Sequence, residues 1–565
     1  MATSPPHRAH EFLSSRGEDS QQFLKKCAEP DLFKQAIETT SVFEKVPDWR
    51  LLVKGLGTFK KNVYDKELHG ESLENVIETR FEIASNCFPE QFADKSKQMQ
   101  FVAWVFFESR KGYVYAPQYI IKSFCTKNSI DMEDFMDVLV RHPDYKNLYT
   151  SKDIRMCEVA IERWLSQATP SNTIKPKDSP LLDASQNKSL KQLMTSGYTV
   201  LQGNAGCGKT TTVCEMIKQL IAHDDVMVVA AAFTHKAKKC IEVRMKKAGL
   251  ENQVLIGTLH SVIGIIRAIE QHKHIFLILD EASMLDIELL GELAFTMTNK
   301  TIKYQVCFVG DYFQIQPVGR GEFFRQMVED DQVVHTLHKC YRTDHQDLFK
   351  AYENVRNGKL PESSENFKVD LVSTDKEISS LVGKHIKKHL DKYQIICWQN
   401  KHIWMINQWV QKALFAANRI GPGCYRSFYT NDKVVYCGVN DDTVTNAMTG
   451  TVINASPAGM MIKWENKEKA SLYKDTTGIN LSYAISAHKS QGSEYSHVIV
   501  VCYEVEKMNK CLDKRWLYTS ITRGQEQVIL VATQDIRSFV EKKLSNIPIH
   551  NIKIKYEYPL SLCHM

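Results

Sequence analysis

The spacing of apolar positions changes character along this chain. The first 20 or so residues are polar, and from about residue 21 to 165 hydrophobic side chains recur at mostly helical intervals. The end of that region is the most clearly punctuated. Gln98 to Phe107 reads as a helix and Gly112 to Pro117 as a short strand and turn. Gln118–Cys125 and Met132–Val140 read as helices, His142 to Ser151 as a β-wing, and Asp153 to Leu165 as a final helix. This order suggests a winged-helix unit; a helical bundle with one extended loop is the alternative. Ala168 to Pro180 is rich in Ser, Thr, Pro and Lys and reads as a linker.

After the linker, short continuous apolar runs alternate with helical stretches, the signature of a parallel α/β sheet. The alternation continues to about Val328, and a second α/β block begins near Val333. A turn-rich stretch from about Gly421 to Lys474 interrupts it. There Lys433–Tyr436, Thr451–Ile453 and Met460–Trp464 are strand-like and separated by Gly, Asn, Asp and Pro, as a small inserted β-barrel would be. The α/β pattern resumes at about Ile479 and ends near Leu544. The expected organisation is a helical region at 1–95, a winged-helix-like unit at 96–167 and a first α/β domain at 175–330. A second α/β domain at 333–420 and 475–545 carries the insert at 421–474, and a tail follows at 546–565.

Composition narrows the class. With 565 residues the chain is too long for one core. Hydrophobic residues at 43% and charged residues at 24% describe a globular protein, and a formal charge of +6 permits an anionic partner without demanding one. Fifteen cysteines are scattered singly with no C-x-x-C pair, which argues against a zinc module and a secreted disulfide framework. A reduced compartment, cytoplasmic or nuclear, is expected. No signal-peptide core and no apolar run of membrane-spanning length is present, so no membrane partner is expected.

The chemistry concentrates in three places. Gly203-Asn204-Ala205-Gly206-Cys207-Gly208-Lys209-Thr210 follows the apolar run Tyr198–Leu201 and precedes a helical stretch from Thr211. A strand–loop–helix of this pattern cradles phosphates: glycines let backbone N–H groups converge, and the helix N-terminus adds partial positive charge. Lys209 would reach the β- and γ-phosphates, and the Thr210 hydroxyl would hold Mg²⁺. A second strand, Ile275–Leu279, ends in Asp280-Glu281. Carboxylates at that end of a parallel strand face the ligand crevice, so Asp280 would support Mg²⁺ and Glu281 would polarise water. A third, Val306–Val309, ends in a turn carrying Gln314, placed to sense the γ-phosphate.

In this order, GNAGCGKT, DEAS and GDYFQIQPVG resemble motifs I, II and III of superfamily 1 DNA helicases. Gln186 resembles the adenine-reading glutamine upstream of motif I. AAFTHKA (231–237) and GTLHS (257–261) resemble motifs Ia and Ib. LHKCYRTD (337–344), YAISAHKSQGSE (483–494) and YTSITRG (518–524) resemble motifs IV, V and VI. The stretch VGRGEFFRQMV and the AHKSQGSE form of motif V are similar to the RecD-like and Dda-like branch, which moves 5′→3′. The resemblance implies two RecA-like parallel-sheet motor domains, an SH3-like β insert in the second, and a mostly helical N-terminal region ending in a winged-helix-like unit.

It also implies site roles. The nucleotide would be held by Gln186, Gly203 to Thr211 and Glu494, the last at the ribose. Hydrolysis would rest on Lys209, Glu281 and Gln314, with Arg342 and Arg523 offered to the γ-phosphate by the second domain. Phe233, Thr234, His235, Lys236, Thr258, His260, His488 and Lys489 would line the strand groove, where backbone N–H groups, hydroxyls, cations and flat faces suit a single strand. ATP and Mg²⁺ are the implied cofactors. The implied partners are single-stranded and tailed duplex DNA, with replication or recombination proteins engaging the N-terminal region. Two features depart from the family: Cys340 stands where relatives often carry Asn, and the interval from His260 to Asp280 is short for a duplex-splitting hairpin. The alternatives are a motor subunit that unwinds weakly alone, an RNA helicase, and a nucleotide switch. The switch accounts poorly for a second α/β core. His272 and His274 have no further ligand at metal spacing and read as loop residues.

Overall fold

The computed structural model describes residues 95–544, except 109–113, 172, 234, 251, 270–273, 301, 318, 330–332, 340, 342–344, 389–391, 422, 439–443, 445 and 466–468. The expectations for residues 1–94 and the tail therefore lie outside the described residues. The chain divides into two compact units, residues 1–155 and 156–565.

In the first unit α1 (Lys95–Glu108) is followed by β1 (Ala116–Pro117), α2 (Gln118–Lys127), α3 (Met132–Asp137), β2 (Leu139–Arg141) and β3 (Leu148–Ser151). The strands form an antiparallel sheet in the order β1-β3-β2. Asp131 starts α3 by accepting from the backbone N–H groups of Glu133 and Asp134. The helix stops at Asp137, sooner than its apolar spacing suggests, because Leu139 and Val140 pair with Ser151 and Thr150. Phe106, Phe124 and Phe135 pack ring against ring as its core.

α4 (Lys152–Ser166) leads into the second unit, where α5 (Ala184–Thr195) precedes a parallel sheet. Its strands are β4 (Tyr198–Gly203), β5 (Val226–Ala232), β6 (Leu255–Thr258), β7 (His274–Asp280), β8 (Tyr304–Gly310) and β9 (Val334–Leu337). They lie in the order β6-β5-β7-β8-β4-β9, all parallel. Six of the seven residues of β5 and all seven of β8 are buried, as expected for strands covered on both faces. The crossovers include α6 (Lys209–Leu220), α7 (His235–Lys247), α8 (Leu259–Ala268) and α9 (Ile287–Thr298), and α10 (Phe323–Glu329) precedes β9.

A second parallel sheet follows α11 (Gln346–Arg356). It comprises β10 (Phe367–Val372), β11 (Tyr393–Cys397), β19 (Ala484–Ser486), β20 (Tyr495–Cys502) and β21 (Gly524–Thr533), ordered β10-β21-β20-β11-β19. Its helices are α12 (Asp375–Lys388), α13 (Asn400–Ala416), α14 (Ala487–Ser490), α15 (Val505–Cys511), α16 (Lys514–Ile521) and α17 (Ile536–Glu541). Between α13 and β19 the chain makes the hairpin β12 (Cys424–Tyr425) and β13 (Phe428–Tyr429). It then makes an antiparallel sheet of β14 (Lys433–Tyr436), β15 (Thr449–Ser456), β16 (Gly459–Trp464), β17 (Ser471–Tyr473) and β18 (Ile479–Leu481). Trp464 is buried there against the edges of Tyr436 and Tyr473, and its indole N–H donates to the Tyr473 hydroxyl at 2.9 Å. The two parallel sheets are two RecA-like domains.

Candidate nucleotide and nucleic-acid site

Register places the chemistry along one edge. β4 pairs with β8 and β8 with β7, all parallel, so the segments leaving their carboxyl ends are neighbours. These are the loop after Gly203, the Asp280-Glu281 pair and the turn after Gly310. The crevice at that edge is where open parallel sheets hold ligands.

The loop is built for close backbone approach. Gly206 and Gly208 have φ of 82° and 77°, a region that other L-residues adopt only with strain. A Cβ on Gly208 would also stand 2.5 Å from the Gln186 amide nitrogen. Lys209 opens α6 and its Nζ donates to the carbonyls of Gly203 (2.7 Å) and Asn204 (3.1 Å). Thr210 follows on the same turn, and the Thr211 hydroxyl accepts from Arg244 at 3.2 Å. Cys207 is buried, with its thiol 3.7 Å from the His338 carbonyl oxygen.

Gln186 is engaged on both sides of the site. It completes a capping box with Asp183 at the start of α5, and its Nε2 lies 3.5 Å from the Cys207 carbonyl. Asp183 also accepts the hydroxyl of Tyr341, whose backbone N–H reaches the Gly206 carbonyl at 2.8 Å. That hydrogen bond holds the Asp183 carboxyl below its ordinary range, and burial with Asp183 beside it pushes the Tyr341 phenol up to about 12.

Asp280 ends β7 almost fully buried, and Glu281 adopts φ 53°. A non-glycine residue in that conformation stores local strain, a recurring trait of functional sites. The Glu281 backbone N–H donates to Asp280 Oδ1 at 2.9 Å. Burial and the neighbouring Glu281 charge push the Asp280 carboxyl well above the usual carboxylate range, while Lys209 and Arg244 oppose the shift. A cation between two such carboxylates would relieve that cost, so the residues present fit a divalent metal. Gln314 is buried, its side-chain oxygen unpaired among the described residues.

The second parallel sheet meets this edge directly. Tyr518, buried on α16, donates to Asp311 Oδ2 at 2.8 Å and accepts from the Ala205 backbone N–H at 3.4 Å. The Ile315 N–H donates to Thr519 at 2.7 Å, and the Arg515 guanidinium bonds Glu322 and Gln316. Asn204 receives Arg356 on its oxygen and donates to Glu353 at 2.8 Å. Arg523 is buried, its guanidinium donating to the carbonyls of Thr519 (3.0 Å) and Ser493 (3.4 Å) within its own domain. Arg342 and Cys340 lie outside the described residues. Glu494 is exposed and accepts from Gln525 at 2.6 Å.

Of the groove residues, Phe233 is half-buried just past β5, and Thr258 caps α8 at the end of adjacent β6. His260 is exposed on the first turn of α8. His235 and Lys236 open α7, their side chains outside the description, as is Thr234. On the second sheet His488 and Lys489 occupy α14, directly after β19. Burial lowers the His488 imidazole to about 4, so it is neutral at physiological pH. Lys489 Nζ sits 2.9 Å from the Cys437 sulfur on the β insert.

Four participants escaped the sequence reading: Tyr518 with Asp311, and Arg356 with Glu353. Gln491 is a fifth candidate, buried with both amide atoms unpaired among the described residues. It stands inside the AHKSQGSE motif, which was signal enough to single it out.

A phosphate loop after β4, acidic residues after β7 and a second RecA-like domain against the loop define a P-loop nucleoside triphosphatase. The AAA domain family profile matches residues 181–371 and the UvrD-like helicase C-terminal domain profile matches residues 481–531. The chain is 22% identical over 488 residues to an uncharacterized protein of Methanocaldococcus jannaschii, covering 66% of this chain and 40% of that one. It is 22% identical over 442 residues to the RecBCD enzyme subunit RecD of Buchnera aphidicola, covering 61% and 72%. Among solved structures, Bacteroides Pif1 bound to single-stranded DNA is similar at 17% identity and a TM-score of 0.40, covering 62% of this chain and 92% of that one. With its motifs in the order described, the chain is similar to superfamily 1 helicases of the RecD-like kind.

Proposed function

We propose that this chain is an ATP-hydrolysing DNA helicase motor that moves 5′→3′ along a single strand. The observation that carries the reading is the contact of the second RecA-like domain with the phosphate loop, through Tyr518, Glu353 and Arg356. A loop read by two domains can convert phosphate chemistry into relative domain movement.

In the proposed cycle, Lys209 leaves the Gly203 and Asn204 carbonyls for the β- and γ-phosphates. Thr210 and Asp280 would hold Mg²⁺, which when bound neutralises phosphate charge. Glu281 takes the proton of the attacking water, and Gln314 positions that water against the γ-phosphate. Arg342 and Arg523 stabilise the charge that spreads during phosphoryl transfer, and Arg523 must first exchange its carbonyl partners for phosphate. Gln186 and Glu494 fix base and ribose. The strand lies across Phe233–Lys236, Thr258–His260 and His488–Lys489, held by phosphate contacts and stacking.

A specific observation favours limited unwinding by the isolated chain. α8 fills the interval after β6 and leaves only residues 269–273 before β7. A duplex-splitting hairpin of the family's kind would need a longer stretch of sequence than this. This favours translocation with weak strand separation, which partner proteins engaging the N-terminal region would assist. The test is unwinding of duplexes with a 5′ or a 3′ tail by the purified chain. Preference for the 5′ tail supports the reading, and preference for the 3′ tail rejects the polarity.

A further inference from the structure

Asn204 occupies the second position of the phosphate loop, where the glycine pattern makes no demand. Its side chain is nevertheless fully engaged, and by the other domain. Nδ2 donates to Glu353 Oε1 at 2.8 Å, and Oδ1 accepts from Arg356 Nη1. Glu353 and Arg356 stand one turn apart on α11 and pair with each other at 3.1 Å. The three side chains thus close a ring of hydrogen bonds across the domain junction. Charged partners make such bonds stronger than neutral ones.

The arginine is held from its other side as well. Its guanidinium carbon lies 5.4 Å from the Phe313 ring centre and 5.8 Å from that of Tyr312, both in the turn after β8. Arg356 therefore touches the phosphate loop and the Gln314-bearing turn at once. Asn204 lies at the end of the loop where the Lys209 ammonium already bonds its carbonyl. Lys209 is the residue that would follow the terminal phosphates, so the ring is tied to the part of the loop that feels whether the γ-phosphate is present.

We propose that Asn204, Glu353 and Arg356 form an interdomain clasp that positions the phosphate loop for hydrolysis and passes its displacement to α11. These are positioning residues, distinct from Arg342 and Arg523: they act on the loop through the Asn204 side chain. The proposal rests on the reading of this cleft as an ATPase site. With the clasp intact, a shift of the loop on phosphate release pulls directly on the second domain. Without it, nucleotide can still bind through Lys209 and the loop N–H groups, while turnover and its response to a strand decline.

A double-mutant cycle on the full chain tests this. Asn204→Ala and Arg356→Ala are each expected to lower the strand-stimulated turnover number about tenfold, the scale of losing a charge-assisted hydrogen bond. In Arg356→Ala, affinity for a fluorescent ATP analogue should stay within about threefold of wild type. The double variant should lose no more than either single one, because one ring is broken in all three. If Arg356→Ala does not fold, Glu353→Ala takes its place in the cycle. Single variants with wild-type turnover overturn the clasp, as does a double variant whose losses multiply to about a hundredfold. Analogue affinity that falls in step with turnover makes the ring a binding element and also overturns it. If the wild-type chain hydrolyses no ATP, the ATPase reading fails by itself. The cycle is then read on domain closure by a fluorophore pair, where analogue-induced closure of wild-type size in Asn204→Ala overturns the clasp.

Discussion

The Tyr518 hydroxyl stands 2.8 Å from Asp311 Oδ2, joining the helix before Arg523 to the strand end before Gln314. Asp311 has no solvent exposure, and Tyr518 has 1%. The same hydroxyl accepts from the Ala205 N–H, so one oxygen links three segments of the cleft.

Tyr518→Phe should therefore do more than remove a hydrogen bond. It strips Asp311 of its partner on Oδ2 inside a buried interface, a change that costs on the order of 1–3 kcal/mol. A lower urea midpoint with reduced strand-stimulated turnover is expected. Unchanged stability and turnover would show that the three-way contact is idle.

Glu281→Gln and Lys209→Ala should separate chemistry from binding. The glutamine variant keeps ATP but loses turnover by orders of magnitude, because the water loses its base. The alanine variant loses tight ATP binding, since the cation facing the phosphates is gone. Equilibrium binding and single-turnover hydrolysis distinguish the two; a Glu281→Gln enzyme with normal turnover removes Glu281 from the mechanism.

Gly208→Ala should weaken nucleotide binding while the fold survives. The left-handed backbone costs a non-glycine residue about 1–2 kcal/mol. The new methyl must also displace the Gln186 amide, 2.5 Å away. ATP affinity should fall more than the melting temperature does. If Gly208→Ala binds ATP as wild type does, the loop is not held as the geometry indicates.

Acid should loosen the second domain through His402. Its ring is buried, stacked on Tyr503 with centres 4.4 Å apart, and burial lowers its imidazole to about 4 from 6.5. Between those values the unfolded chain binds a proton that the folded chain refuses. The stability is thus present above pH 6.5 and is lost as pH falls towards 4, by on the order of 2 kcal/mol near pH 4.5. His402→Phe should flatten that part of the melting-temperature profile, and an equal acid slope in the variant would contradict this.

What the sequence discloses here depends on range. β14 coincides with the apolar run Lys433–Tyr436, and β4, β7 and β8 carry their motifs because buried parallel strands write themselves as short hydrophobic runs. The fold of the motor and its loop chemistry are legible for that reason. Arg356 and Glu353 were not, since they sit on an ordinary amphipathic helix about 150 residues from Asn204, and pairing at that distance leaves no local pattern. Tyr518 stands within the YTSITRG motif, but its bond to Asp311 depends on two sheets meeting. The end of α3 was misjudged because Leu139 and Val140 suit a helix face as well as a strand.

The most direct test of the account is the ATPase rate of the purified chain with single-stranded DNA, single-stranded RNA or blunt duplex as activator. A motor whose cleft closes over ATP and whose groove holds one DNA strand should be accelerated most by single-stranded DNA, with an activating concentration that rises with salt as phosphate contacts are screened. A rate that no nucleic acid changes would contradict it.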